Sequence, residues 1–580
     1  MSNVLRELAA TGSTTLLDAA RDFADRVDPT QLDRFATILN ASANTLIQRE
    51  AWEEVVELLG ILLDKVPDDL RARLRLATSL IQLGEMQRAI EHITHLLSRY
   101  PTRPGAAHLL VGNASAGQIS KIAEQIVPLT LSHIERDSAA LPDGIRVLTY
   151  LMSFDAAQQL IGRASVLRDP KLADAAFEYA TSANEHEIAE QALREREWAP
   201  DTEDEKDTWQ IRIALLKADA KRLRQAFDRL TERNKLGLLK RPVAQSAGLS
   251  LGRYNEAFSM DWQRNQRPAI EKLIPNLFQP TESIDSLSDA NVLIIARTEL
   301  GDELRLIELV DRARAKFGAC TVVVDRRLRD LVSRNRPDLT VVGAEKLIPN
   351  KESTVPLLLR RHLDQPTWDN ISTFDRVLLI TDLQMLLVKS SNDLPRISQL
   401  LEPDHALRLD WRKRLHEWPS PRVGLFWHSG PRTFKRSAKF TTLADWLPVF
   451  EVCSRTFVSL QYGPEVGREI SEAPAIAKII EMPGLDAKND INSLAALMCE
   501  LDLILTIPGT THHLAGAVGA KTLVVTHPSQ ALWRARPDSS TSTWSPSVEI
   551  VSGRYEDGFA GAIAAAADRL RMSLNGTEGK

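Results

Sequence analysis

A helical array followed by two doubly wound α/β domains is the fold class this sequence predicts, on three observations. Apolar residues recur at helical spacing, in runs rich in Ala, Leu, Arg and Glu, from Ser2 to about Trp262, and β-type alternation is scarce there. A stretch rich in Pro, Ser and Asp then breaks the pattern, through Arg267-Pro268, Gln279-Pro280 and Ser283-Ile-Asp-Ser-Leu-Ser-Asp289. Beyond it, short β-branched runs alternate with helical stretches, the pattern of parallel sheets covered by helices.

The helical part carries a repeat. Pro67 and Pro101 stand 34 residues apart, the period of a tetratricopeptide repeat. Between them Leu76, Ala77, Leu80, Gly84, Ala89, Ile93 and Leu96 fit that pattern. Gly84 falls in the turn between two antiparallel helices, Ala77 and Ala89 are small where those helices cross, and Pro101 ends the second helix. One period back, Ala43, Leu46, Val55, Leu59, Leu62 and Pro67 form a looser copy. The period blurs after Gly112. The phrase Gly252-Arg-Tyr-Asn-Glu-Ala-Phe258 then repeats the turn and second helix. Residues 1–265 read as a solenoid of degenerate repeats, whose concave face is expected to hold a protein partner; the alternative is a scaffold that only shapes the rest. The run Asp201-Thr-Glu-Asp-Glu-Lys-Asp207 reads as a solvated helix start.

Residues 266–288 read as a linker. Strand candidates in the next part are Asn291–Ala296, Thr321–Val324, Thr340–Val342 and Arg376–Thr381, which make a first α/β domain at 289–405. A second linker is expected at 406–421. A second series follows at Val423–Trp427, Thr456–Leu460, Ala477–Glu481, Leu501–Ile507, Lys521–Thr526 and Val548–Val551, giving a second domain at 422–574. Ligands of such folds bind beyond the carboxyl ends of the strands, here in the cleft between the two domains.

One stretch stands out for chemistry. Leu501-Asp-Leu-Ile-Leu-Thr-Ile-Pro508 reads as a buried strand, and Gly509-Thr-Thr-His-His-Leu-Ala-Gly-Ala-Val-Gly519 as a turn into a helix. A helix start of this kind presents free N–H groups and a positive dipole end to an anion. Thr510 and Thr511 are placed to cap it and add hydroxyls, and His513 falls in its first turn. Gly516, with its small neighbours, lets the sheet or a ligand approach. The basic loop Arg432-Thr-Phe-Lys435-Arg436, after Ser429-Gly430, is a second phosphate candidate. Gln461, at a strand end, is placed to touch a base or ribose.

Composition limits the function classes. A formal net charge of -5 argues against nucleic-acid binding by bulk electrostatics. With 43% hydrophobic and 26% charged residues the chain is that of a globular protein. Cys320, Cys453 and Cys499 lie far apart without metal spacing, which suggests a reducing compartment and no disulfide framework. No signal peptide is expected at the N-terminus and no membrane span anywhere, so a cytoplasmic location is expected. No P-loop and no Ser-His-Asp phrase is present, and His512-His513 lacks a third metal ligand at useful spacing.

Several phrases in order resemble the bacterial glycosyltransferases of the GT-B fold fused to tetratricopeptide repeats, related to the lipopolysaccharide heptosyltransferases. They are Ala296-Arg-Thr-Glu-Leu-Gly-Asp-Glu303, Val423-Gly-Leu-Phe-Trp-His-Ser-Gly430, Thr442-Leu-Ala-Asp-Trp-Leu-Pro448, Ser459-Leu-Gln-Tyr-Gly463, Asp490-Ile-Asn-Ser-Leu-Ala-Ala496, the Leu501–Gly519 stretch and Trp533. The resemblance covers about residues 288–570. It implies two facing Rossmann-like domains, a nucleotide-sugar donor and no bound metal or cofactor. It implies Asp302 as general base, with Glu299 and Glu303 as alternatives; a helix N-cap is the other reading of Asp302. It implies Thr510, Thr511, His513, Gly516, Ser429, Arg432, Lys435, Arg436 and Gln461 around the donor. Pro508 stands near the place where the heptosyltransferases carry an Asp, which weakens ADP-heptose as donor; a CMP-activated nonulosonic acid and a nucleotide-diphosphate hexose stay open. Within this resemblance the expected acceptor is a protein, with Ser or Thr of flagellin leading. Rival expectations are transfer to a lipopolysaccharide or exopolysaccharide precursor, and an inactive adaptor.

Overall fold

The computed structural model describes residues 15–575 apart from short internal segments at 50, 113, 115, 165, 265–266, 280–281, 347–352, 357, 430–440, 453–455, 537–538 and 555–556. The described residues divide into two compact units, one running to 199 and the other beginning at 200.

The first unit is built from antiparallel helix pairs, such as Leu32–Gln48 with Trp52–Lys65, Leu70–Gln82 with Met86–Arg99, and Pro170–Ala183 with His186–Glu195. The sequence repeat corresponds to one local device. Gly84 adopts a left-handed φ of 79°, and Glu85 N–H donates back to Leu80 O at 2.8 Å, which turns one helix into the next. The same turn recurs at Met152, Asn184, Ala218 and Gly252, with backbone bonds Ser153 to Leu148, Glu185 to Ala180, Asp219 to Ala214 and Arg253 to Gly248. The period therefore persists where the sequence blurs. Three of these left-handed positions carry a side chain instead of glycine, so the glycine signal is lost while the turn is kept. The position one period after Gly84 lies inside the continuous Ala116–Arg136 helix, and that is where the pattern breaks.

The second unit holds both sheets, all strands parallel. The first sheet orders its strands β3-β2-β1-β4, from β1 (Asn291–Ile295), β2 (Ala319–Asp325), β3 (Thr340–Ala344) and β4 (Arg376–Leu379). The second orders β10-β9-β8-β5-β6-β7, from β5 (Val423–Phe426), β6 (Phe457–Ser459), β7 (Ile479–Ile480), β8 (Leu503–Thr506), β9 (Thr522–Val525) and β10 (Val548–Val551). This is the six-stranded doubly wound order, with its switch point between β5 and β8. The first sheet switches between β1 and β4. The inner strands are buried through their middles, as parallel strands covered on both faces must be, and the edge strands β3 and β7 are only partly buried. Two α/β domains that follow helical repeats along the chain are the architecture expected.

Two segments that read as linkers are structured. Within 266–288 the Arg267–Leu273 helix fixes the edge of the first sheet. Arg267 is buried, bonds Asp382 Oδ1 at 2.8 Å and donates to Phe278 O. The Asp404-capped helix His405–Leu415 fills most of 406–421 and packs on Ile491–Cys499. The helices from Glu203 to Arg264 belong to this unit. Leu532, in the Pro528–Arg534 helix, packs on a cluster containing Ile211, Leu223, Phe227 and Ala244, and Tyr254 and Phe258 join the main α/β core.

Candidate active site

Each sheet presents the loops that follow its switch-point strands. After β1 comes Ala296–Glu299, then the Leu300–Arg314 helix. After β5 come Trp427, His428 and Ser429, and after β8 come Ile507, Pro508 and Gly509, leading into the Thr510–Ala517 helix. The two switch points meet. A Cβ placed on Gly301 would lie 3.0 Å from the His513 ring and 3.3 Å from Thr510 Cα, and the two helices pack on each other. Gly509 is equally close to Ser429, whose Oγ would lie 3.0 Å from a Cβ there. The structure thus brings the turn that carries Asp302 against Thr510 and His513, and Ser429 against Gly509.

Local sequence explains the start of the Thr510–Ala517 helix. Gly509 is its N-cap, Thr510 its first residue and Thr511 its second, so neither threonine is the cap. One half of a capping box is present: His512, buried, accepts from Gly509 N–H through Nδ1 at 2.9 Å. That bond requires an unprotonated Nδ1, and it leaves the N–H groups of the first turn to other partners. The His512 and His513 rings lie 3.8 Å apart. The helix ends at Gly519, with φ 75°, where Ala520 N–H returns to Ala515 O. Gly516 is turned toward the sheet side, where a Cβ would lie 2.6 Å from Ser545 Cβ and 3.1 Å from Val548. Thr511 is buried, whereas Thr510 and His513 are partly exposed.

Asp302 sits in the first turn of its helix, not at the cap, which is Glu299. Its Oδ1 accepts from Arg305 Nε at 2.7 Å, and its side chain keeps 40% exposure, enough to meet a substrate. The neighbouring Glu303 is 1% exposed, so it can meet no acceptor. It binds Lys346 and accepts Asp325 N–H at 2.8 Å, and burial pushes its carboxyl up to about 7 against the pull of Lys346. Lys346 also donates to Ala296 O and Thr298 O, so this pair fixes the loop that delivers Asp302. Asp325 in turn holds Arg327 through two side-chain bonds of 2.8 and 2.9 Å, and Arg327 Nη1 reaches Lys488 O of the second domain at 3.0 Å.

Gln461 is buried, and its amide is engaged with the end of β5. It accepts from Trp427 N–H at 3.3 Å and His428 N–H at 3.2 Å and donates to His428 O at 3.0 Å. Glu469 accepts from Trp427 Nε1 and meets His428 Nε2, both at 3.0 Å. Arg432, Lys435 and Arg436 lie outside the described residues. Among the described residues no cluster of His, Cys, Asp and Glu is placed to hold a metal ion.

Sequence reading missed two cations. Arg305 lies one turn beyond Asp302, a spacing that was legible. Arg534, at the end of the Pro528–Arg534 helix, was not. Its guanidinium lies 4.0 Å over the Trp533 ring, and Asp302 and Arg305 are the charges that act on it. Burial pushes it down to about 9.

No family model matches the chain. Protein FlbA of Caulobacter vibrioides is 28% identical over 320 residues, 53% of this chain and 51% of that protein. The chain therefore spans about half the length of this curated relative. Among solved structures, E. coli ADP-heptose lps heptosyltransferase II is 13% identical over 49% of this chain and 98% of its own, at a TM-score of 0.34. The glycosyl transferase family 9 protein of Veillonella parvula is 13% identical over 46% and 87%, at 0.32. A point mutant of the Thermobaculum terrenum O-GlcNAc transferase is 14% identical over 87% and 92%, at 0.29.

Proposed function

We propose that this chain is a glycosyltransferase that moves a sugar from a nucleotide-activated donor to Ser or Thr hydroxyls of a protein, with flagellin as the leading acceptor. The observation that carries the reading is the meeting of the two switch points, where Gly301, next to Asp302, packs on Thr510 and His513, and Gly509 packs on Ser429. Asp302 takes the proton of the acceptor hydroxyl as its oxygen bonds the anomeric carbon. The bond from that carbon to the donor phosphate oxygen breaks, and the electron pair leaves on the phosphate. The N–H groups at the start of the Thr510–Ala517 helix, the Thr510 hydroxyl and His513 stabilise that charge, and buried Thr511 supports them from behind. Gly516 seats the helix close to the sheet, Gln461 holds the β5 loop in place, and Arg432, Lys435 and Arg436 supply further cations from the adjoining segment. The tetratricopeptide helices hold the acceptor chain, since a small sugar or lipid acceptor does not need so long a repeat surface.

The test is the intact mass of the host's flagellin with the gene deleted, then complemented by the wild type or by Asp302→Ala. A sugar-sized loss in both the deletion and the Asp302→Ala strain is expected. Loss in the deletion alone removes Asp302 as base, and unchanged mass throughout removes flagellin as acceptor.

A further inference from the structure

Glu469 is a partly buried carboxylate with no part in the transfer step itself. It stands on the short Val466–Ser471 helix that follows β6. Its neighbour Arg468 is exposed and pairs outward with Glu465 and Glu472. Glu469 turns to the end of β5 instead. Its Oε2 accepts from Trp427 Nε1 at 3.0 Å, and His428 Nε2 lies 3.1 and 3.0 Å from Oε1 and Oε2. An ionised carboxylate can only accept, so His428 Nε2 carries a hydrogen and donates it. One carboxylate therefore holds two consecutive side chains. The backbone of the same two residues is held separately. Gln461 accepts both of their N–H groups and donates to His428 O. Thr441 Oγ1 donates to Trp427 O and accepts from Trp446 Nε1 at 2.8 Å. Trp427, His428, Thr441, Trp446 and Gln461 are all buried. Burying so many polar groups stabilises little over an apolar filling of the same space, but it selects one conformation. The conformation selected is the exit of β5. The next residue is Ser429, whose Oγ would lie 3.0 Å from a Cβ on Gly509, the N-cap of the Thr510–Ala517 helix.

We propose that Glu469 is a positioning residue of the donor side: by holding the Trp427 indole and the His428 imidazole it keeps Ser429 against the start of the Thr510–Ala517 helix, where the donor phosphate is received. This rests on the donor reading given above and adds the residue that shapes its anion cradle. Glu469 acts through His428 and Ser429 and does not itself meet the phosphate. The Ser429 hydroxyl is kept beside the first N–H groups of the helix, so that both serve one oxyanion. A carboxylate is required for this task. Whichever way the amide of Glu469→Gln is turned, its NH2 group replaces an oxygen 3.0 or 3.1 Å from His428 Nε2, donor against donor.

The test is calorimetric titration of the full-length protein with CMP, UDP, GDP and ADP, for wild type, Glu469→Gln, Ser429→Ala, the double variant and the exposed control Arg468→Gln, with Tm measured without ligand. For the nucleotide that wild type binds, Glu469→Gln is expected to lose affinity by about 10-fold, the worth of one charge-assisted bond. Ser429→Ala is expected to lose about as much, and the double variant no more than either alone, because both act at one point. Arg468→Gln is expected to bind as wild type does. Unchanged affinity for Glu469→Gln overturns the proposal, and a lower Tm with it makes the carboxylate a structural clamp. Losses that add in the double variant overturn it as well, since Glu469 then acts other than through Ser429. Both outcomes leave the glycosyltransferase reading intact. Absence of wild-type binding to every nucleotide tested overturns the proposal and that reading together.

Discussion

Gly301 is a point of close approach between the two α/β domains at the proposed site. With a Cβ, the His513 ring at 3.0 Å and Thr510 Cα at 3.3 Å would each have to give way. Gly301→Ala is expected to cost little stability but to shift His513. Gly301→Val is expected to widen the contact and lower transfer by about 10-fold or more, since a misplacement of about 1 Å costs up to that scale or beyond. Initial rates with the proposed flagellin acceptor check this, alongside a Tm change for Gly301→Val worth about 1–3 kcal/mol. The left-handed turn at Ala218, with φ 53°, permits a prediction of opposite sign. Ala218→Gly removes about 1 kcal/mol of left-handed strain and is expected to raise the urea midpoint, less the part that the more flexible unfolded chain takes back. At this scale the sequence was legible where chemistry was local: Asp302, Thr510 and Ser429 stand in phrases whose spacing places them at strand ends. It was silent on Arg534, because nothing in Ala531-Leu-Trp-Arg534 indicates that a side chain 232 positions from Asp302 shares its field.

Among the elements, the Pro528–Arg534 helix links the helical layer to the cleft, and its N-cap is a histidine. His527 Nδ1 accepts Ser529 N–H at 3.2 Å and meets Ser529 Oγ at 2.7 Å. Burial pushes this imidazole down to about 4. A folded value below the unfolded one means that the stability is fully present above about pH 6.5 and is lost as pH falls toward 4, by about 3 kcal/mol. Protonation also removes the cap acceptor. His527→Asn keeps a capping oxygen and does not titrate. It is expected to match wild type within about 1 kcal/mol at pH 7.5 and to lose less stability by pH 4.5, as read by urea melts at both pH values. Glu303 works in the other direction. Its carboxyl is raised to about 7, so its contribution is greatest below about pH 4.5 and declines as pH rises through 7. Glu303→Gln imitates the protonated carboxyl, so it is expected to lie close to wild type at pH 5 and to gain on it by pH 8, as read by urea melts at both pH values. The Thr510–Ala517 helix was readable from its small residues and polar start, but its cap was not. The N-cap is Gly509, and its N–H is taken by the side chain of His512 three residues on.

At the scale of the whole molecule, the helices from Glu203 to Arg264 belong with the sheets. Leu532 packs among Ile211, Leu223 and Phe227, and Tyr254 and Phe258 enter the α/β core. A chain of residues 200–580 is expected to unfold cooperatively with a Tm near that of the full protein. A chain of residues 266–580 is expected to expose those apolar faces, bind a hydrophobic dye and aggregate. Size-exclusion chromatography and calorimetry of the two chains check this.

The sequence by itself determined the elements and their class, because periodicity is a local property: the 3.6-residue stripe, the buried parallel strand and the 34-residue period each depend on neighbours along the chain. It also named most of the residues that gather at the strand ends. Only the tertiary structure decided which of them touch. Gly301 meeting Thr510 and His513, Gln461 engaged on the β5 loop and Gly516 facing Ser545 are contacts between segments apart in the chain. Their physical cause is the burial of two sheets and a helical layer against one another. That packing is set by the shapes and charges of many side chains at once, and no single stretch of sequence records it.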